Sequence, residues 1–354
     1  MSLTKQVVII GASGQVGFRL LEAVQSQTAS TTPASRVWAS CTQIDSETKL
    51  PNSPLAKGVL KLLGPTNSPV AWFALDLQAL ANQEAHAIQS LQAVLQNLDL
   101  SKPIEIYMAG SFTNVDGCEL EPERAWAVNF EGPKCLLLQV ADYCKGRAEP
   151  TNIKFCIFST DYVFDGLAGP YLESDATHPL SVYGRTKERL ELFCKEFAEH
   201  SAHRCLIIRT NGVFDFIEGS KNFVMGVARG IQQRQELRIP CDQLGNPVWA
   251  KELARTAITL TECFQSFFEI THVAGAEFFL RHELAQCVAQ LLGESGNGIV
   301  PVTTEKLKQK AVRPLRGGLK LDKLNTLTKS PPRSAREVIA ENIIDLRTLT
   351  CMNI

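Results

Sequence analysis

Val7-Val8-Ile9-Ile10 is an unbroken β-branched run closed by Gly11. Such a run fits a strand buried on both faces, as in the middle of a parallel sheet. Behind it, Phe18 to Val24 space their apolar residues as a helix does. The alternation recurs along the chain. Strands are predicted at 36–40, 70–74, 104–108, 153–158 and 204–208, and helices at about 82–98, 122–144 and 185–199. Pro122 suits the opening of its helix, whereas Pro133 falls inside it and should kink or break it. The stretch from Cys41 to Pro69 is rich in Pro, Ser, Thr and Asn and reads as a long surface insertion. After Asn222 the pattern turns more helical, and its best-defined element is a helix over 277–292 stopped by Gly293. Strands alternating with helices predict an α/β fold with a doubly wound parallel sheet. The expected division is a first domain over 1–212 with a return segment near 241–274. A smaller, mostly C-terminal domain would take 213–240 and 275–330, with a tail from 331 to 354.

Composition narrows the function. At 354 residues, 45% apolar and 21% charged, the chain is an ordinary globular one. A net charge of −1 gives no field to hold nucleic acid or an anionic membrane. No apolar stretch is long enough for a membrane span, and the start lacks the h-region of a secretion signal. The 11 cysteines are scattered without CxxC spacing, which predicts free thiols in a reducing, cytoplasmic setting and no metal site.

Candidate chemistry begins at Gly11-Ala12-Ser13-Gly14-Gln15-Val16-Gly17, between strand and helix. Glycines there permit a tight turn, close approach of backbone N–H groups to a pyrophosphate, and close helix–strand packing. The phosphates would meet the positive end of the helix. This is a Rossmann dinucleotide site in outline. Tyr183 and Lys187, four apart, would share one face of a helix. A free phenol has a pKa of about 10. A neighbouring ammonium lowers it, bringing Tyr183 toward acid–base use. Thr160, at a strand end upstream, could orient a substrate carbonyl.

The GxxGxxG spacing and the order strand-end hydroxyl, loop, YxxxK resemble the extended short-chain dehydrogenase/reductases. That resemblance implies Thr160, Tyr183 and Lys187 as catalytic residues, with Lys187 also holding the nicotinamide ribose. It implies cofactor contacts from Gly11, Ser13, Gly14, Gln15, Val16 and Gly17, from Asp76 and Leu77 after the third strand, and from Ala109 and Gly110 after the fourth. Relatives that select NAD carry an acid at the end of the second strand. Here Ser40-Cys41-Thr42 stands there, so Ser40 or Thr42 could donate to a 2′-phosphate and NADP(H) is favoured over NAD(H).

Closer still, Ser159-Thr160-Asp161-Tyr162-Val163-Phe164-Asp165-Gly166 resembles the dTDP-4-dehydrorhamnose reductase (RmlD-like) family. So do Thr113 to Glu119 (TxVDxxE), Glu121 to Asn129 (EPExAxxVN), Asp242 to Pro247 (DQxGxP) and Arg313-Pro314. The resemblance implies a reductase of a 4-keto sugar nucleotide. Substrate contacts would come from Thr113, Asp161, Val163, Phe164, Arg209, Asn222 and Arg313, the arginines meeting phosphates. Asn129 would support a water or backbone near the lysine. A homodimer through the helices around 123–144 and 185–199 would use apolar positions such as Leu136 to Leu138. The long insertion, Val248 in place of Thr, and Met108-Ala109-Gly110-Ser111-Phe112 in place of NAAAY depart from the family. Two alternatives stand beside the reductase. One is a cofactor-binding regulatory module, since the regulatory subunit of methionine adenosyltransferase resembles the same family. The other is a sugar-nucleotide epimerase or dehydratase.

Overall fold

A computed structural model describes residues 5–31, 36–44, 70–146 and 153–351. Seven parallel strands form the main sheet: β1 (Gln6–Ile10), β2 (Arg36–Cys41), β3 (Val70–Ala74), β4 (Ile104–Met108), β5 (Ile153–Thr160), β6 (Arg204–Thr210) and, beyond them in sequence, Phe268–His272. In space the order is β3-β2-β1-β4-β5-β6 with Phe268–His272 at the far edge. The strand order, not the strand direction, reverses between β1 and β4, and this opens a crevice at the carboxyl ends of the strands, where ligands bind in such sheets. The fold is a Rossmann-like doubly wound α/β sheet.

Both faces of the sheet are covered, which is why β1, β4 and β5 read as continuous apolar runs. On one face Val8, Ile10, Ile106 and Phe155 pack with helices Ala85–Gln96, Gly132–Cys144 and Val182–His200. On the other, Val7, Ile9 and Leu206 pack with helices Gln15–Thr31 and Ala250–Cys263. A third cluster lies apart, built from Phe214, Val224, Leu284, Val288 and Ile339 among others. Its helices are Phe223–Gln232, Arg281–Leu292, Ala335–Glu341 and Ile343–Cys351. The segment from 331, expected as a tail, therefore supplies core: Ala335, Val338, Ile339 and Leu346 are all buried.

Other boundaries shift for local reasons. The helix expected over 82–98 is found over Ala85–Gln96, and a short helix not expected from the sequence, Leu77–Ala81, precedes it, separated from it where Gln83 takes a φ of 58°. The 122–144 helix is interrupted by a π-helical turn over Ala127–Glu131 just before Pro133. The wider turn accommodates a residue that has no N–H and would crowd the preceding turn. The Tyr183 helix starts earlier than expected, at Val182, capped by Ser181, whose hydroxyl accepts from Gly184 N. The late helix begins at Arg281 rather than 277, and Gly293 ends it in the left-handed region at φ 79°. Of Leu136 to Leu138, the first two are core residues and only Leu138 reaches the surface. Most of the Cys41–Pro69 stretch lies outside the described residues.

Candidate active site

The glycine-rich turn forms the wall of a groove with about 880 Å³ of open space along the carboxyl ends of β1, β2, β3 and β4. Gly11, Ser13, Gly14, Thr42, Asp76, Leu77, Ala109 and Gly110 all line it, bringing together calls from four separate strand ends. Close approach explains the glycines. A Cβ on Gly11 would lie 2.5 Å from the Gly110 backbone, and one on Gly17 would lie 2.2 Å from the Gly11 carbonyl. Asp76 caps helix Leu77–Ala81, its Oδ1 accepting from Gln78 N at 2.8 Å.

The side chains of three of the expected cofactor contacts do other work. Ser40 is fully buried and its hydroxyl accepts from Gly11 N at 2.9 Å, so it braces the turn and is not free for a 2′-phosphate. That leaves Thr42 as the hydroxyl residue of this pair on the groove. Gln15 accepts from the Ser220 hydroxyl at 2.9 Å, tying the turn to the loop before helix Phe223–Gln232. Val16 packs against the core beneath the sheet.

Thr160 ends β5, and Tyr183 and Lys187 sit on the first turns of helix Val182–His200, all three buried. Glu119 accepts from Val182 N at 2.6 Å, satisfying one of the orphan donors at that helix start. Tyr183 packs in one cluster with Phe112, which lines the groove, and Tyr162, which lines a second pocket. The Tyr162 and Tyr183 rings meet edge-on at 5.8 Å. Burial pushes the Tyr183 phenol well above its ordinary value, against a hydrogen bond with Thr160 that pulls it down. The expected lowering by Lys187 is not what sets it. The Lys187 ammonium donates to the Phe158 carbonyl at 3.0 Å, and burial brings its own pKa down to about 8. Burial thus favours the neutral form of the Tyr183 phenol.

The second pocket, about 580 Å³, lies between the sheet and the third cluster. Asp161 and Tyr162 form one end, with Asn211, Phe223, Gln243 and Arg281 around it. Of these only Asp161 was expected from the sequence. The Arg281 guanidinium lies over the Phe223 ring at 5.0 Å, and among the described residues no carboxylate pairs with it. The available signals were the Ser159–Gly166 stretch, which carries Tyr162, and the DQxGxP loop, which carries Gln243. Arg281 gave none.

Several expected substrate contacts are structural instead. Arg209 is buried and grips Glu191 with Nη2–Oε2 at 2.7 Å and Nε–Oε1 at 3.1 Å, so its guanidinium is not offered to phosphate. Asn222 caps helix Phe223–Gln232, accepting from Met225 N and donating to the Asp215 carbonyl. Val163 and Phe164 are fully buried in a small core, Phe164 stacked on Tyr171. Thr113 is exposed on the loop after β4. Arg313 sits at the rim, donating to the Tyr162 hydroxyl at 3.1 Å and to Asp116 at 2.8 Å. Asn129 is buried and fully engaged by Ser111, the Phe112 backbone and Thr186.

Residues 67–348 match the RmlD substrate binding domain family. The chain belongs to that family, within the extended short-chain dehydrogenase/reductases. Among curated proteins it is 30% identical to a dTDP-4-dehydrorhamnose reductase of Aggregatibacter actinomycetemcomitans, over 76% of this chain and 88% of that one. It is 32% identical to the spore coat polysaccharide biosynthesis protein SpsK of Bacillus subtilis, over 60% of this chain and 69% of that one. Among solved structures, dTDP-4-dehydrorhamnose reductase from Bacillus anthracis in complex with NADP superposes with a TM-score of 0.70 at 22% identity, covering 97% of this chain and all (100%) of that one. DesIV, a dTDP-glucose 4,6-dehydratase from Streptomyces venezuelae, reaches 0.77 at 16% identity, with 97% of each chain covered. At these identities the structural likenesses speak for the fold.

Proposed function

We propose that this member of the family is an NAD(P)-dependent oxidoreductase that reduces the carbonyl of a keto sugar nucleotide, with Tyr183 as proton donor. The observation that carries the reading is the place of Tyr183, a neutral phenol packed between a residue of the glycine-lined groove and a residue of the second pocket. The residues fit a dinucleotide. Gly11, Gly14 and the start of helix Gln15–Thr31 would hold the pyrophosphate, Asp76 and Leu77 would flank the adenosine, and Ala109 and Gly110 would form the floor. Reduced nicotinamide, when bound, supplies the hydride. Thr160 orients the substrate oxygen, Tyr183 transfers its proton there as negative charge develops, and the Lys187 ammonium stabilises the phenolate left behind. Arg281 is, among the described residues, a cation of the second pocket with no ion-pair partner, and would meet the diphosphate. Segments 1–212 and 241–274 would then serve the cofactor, and 213–240 with 275–330 the substrate.

The test is NADPH oxidation with dTDP-4-dehydrorhamnose, the substrate named for the relatives, against an NADH control. No turnover, together with a co-purifying enzyme whose activity the chain alters, would instead support a regulatory module. NADP(H) is the preferred cofactor in this reading, because no acid stands at the end of β2 and Thr42 faces the groove. Thr42→Asp should raise the Kd for NADPH about tenfold by repulsion of the 2′-phosphate, while NADH binding holds or tightens. Fluorescence titration of both cofactors reads this directly, and an equal effect on the two would remove Thr42 from the discrimination.

A further inference from the structure

Arg313 has the chemistry of a phosphate ligand, but the fold gives it another setting. Its side chain is 11% exposed, and each of its three guanidinium nitrogens is engaged. Nε donates to Gln309 Oε1 at 2.7 Å, Nη2 to Asp116 Oδ2 at 2.8 Å, and Nη1 to the Tyr162 hydroxyl at 3.1 Å. Asp116 stands on helix Val115–Leu120, and its other oxygen accepts from Ala311 N at 2.9 Å. One carboxylate therefore holds both the guanidinium and the backbone two residues before it. The chain after Arg313 is held separately. Leu315 O accepts from Leu244 N at 2.6 Å, and Gly166 O accepts from Arg316 N at 3.0 Å.

Tyr162 is the member of this group that faces a ligand. It lines the second pocket, as does Pro314, whereas Arg313 and Asp116 do not. Two contacts fix its side chain. The ring meets Tyr183 edge-on at 5.8 Å, and the hydroxyl sits on Arg313. A guanidinium has donors only, so the phenol oxygen must accept from it. The hydroxyl's own hydrogen is left over, and among the described residues nothing accepts it. The positive charge behind the oxygen also polarises the O–H and strengthens it as a donor.

Resting on the reductase reading above, we infer that Arg313 is a positioning residue for sugar recognition. It turns the Tyr162 hydroxyl so that its hydrogen is donated to an oxygen of the sugar, and it touches neither the diphosphate nor the cofactor itself. Because Tyr162 packs beside Tyr183, the proposed proton donor, that oxygen belongs to the sugar rather than to the nucleoside. Asp116 and Gln309 hold the guanidinium in place for this task.

The test compares a ligand that has the sugar with one that lacks it. Calorimetric titration of the full chain with dTDP-rhamnose, the reduced form of dTDP-4-dehydrorhamnose, and with dTDP reads binding without turnover. Arg313→Gln and Tyr162→Phe should each raise the Kd for dTDP-rhamnose about tenfold, the worth of one good hydrogen bond, and leave that for dTDP within about twofold. The double variant should bind no more weakly than either single one, because the two residues act as a unit. Arg313→Lys keeps one donor for the hydroxyl and should recover part of the loss. In steady state the KM for dTDP-4-dehydrorhamnose should rise by a similar factor, with a smaller change in kcat. Weakened dTDP binding in Arg313→Gln with an unchanged urea midpoint would overturn the inference and make Arg313 a phosphate ligand. Equal losses for both ligands with a lowered midpoint would overturn it in favour of a purely structural role. Additive losses in the double variant, or unchanged binding in the single ones, would also overturn it. If the unaltered chain binds dTDP-rhamnose but oxidises no NADPH, the reductase reading fails while the titrations still decide the role of Arg313. If it binds no dTDP-rhamnose at all, the inference falls.

Discussion

Tyr183→Phe is expected to lower kcat by about 10²–10⁴-fold, the range that a positioned acid contributes, and to leave NADPH affinity within a few-fold of wild type. In the proposed reaction the phenol gives the carbonyl oxygen its proton, and burial favours its neutral form. Phenylalanine fills the same space and keeps the edge-on contact with Tyr162, so the cluster with Cys118, Ala125 and Val182 should stay packed. Absorbance at 340 nm reports turnover, and fluorescence titration reports cofactor binding. Turnover within tenfold of wild type would remove Tyr183 from the chemistry. Weakened NADPH binding alongside lost turnover would point to a cofactor-positioning role instead.

Arg209→Ala should be the most damaging substitution to stability, at about 3–5 kcal/mol, because it leaves Glu191 buried and unpaired. Glu191 accepts from Nε and Nη2 along one edge of the guanidinium and also from the Ser159 hydroxyl, and neither charged side chain reaches solvent appreciably. Arg209→Lys should restore only part of the loss, since an ammonium cannot make the two-point contact. Urea denaturation measures both variants. A weakened KM for the sugar nucleotide with an unchanged denaturation midpoint would reinstate Arg209 as a phosphate ligand.

These two residues mark the boundary between what local sequence reveals and what it hides. Tyr183 was legible because its partners are near in sequence or at strand ends. Lys187 is one turn away on the same helix, and Thr160 ends the strand before it. Helical and strand periodicity place such groups without knowledge of the rest of the chain. Arg209 was misread because its partner, Glu191, lies on a neighbouring helix and its burial depends on packing between that helix and the sheet. Ser40 was misread for the same reason: it has the right chemistry for a ligand, but Gly11 N, brought close by the fold, takes up its oxygen. Asn222 was misread for a local reason, since it caps the helix that follows it and accepts from Met225 N.

By itself the sequence determined the parallel sheet, the glycine turn beside β1, and the Tyr183–Lys187 helix, since each is written in patterns shorter than about twenty residues. The second pocket was decided only in three dimensions. Arg281 opens a helix some 120 residues after Asp161, and Asn211 and Gly245 come from different segments again. Nothing in their spacing announces that they meet. Packing of the third cluster against the sheet brings them together, and the same packing withdraws Asp161 from water and so sets the acidity of its carboxyl.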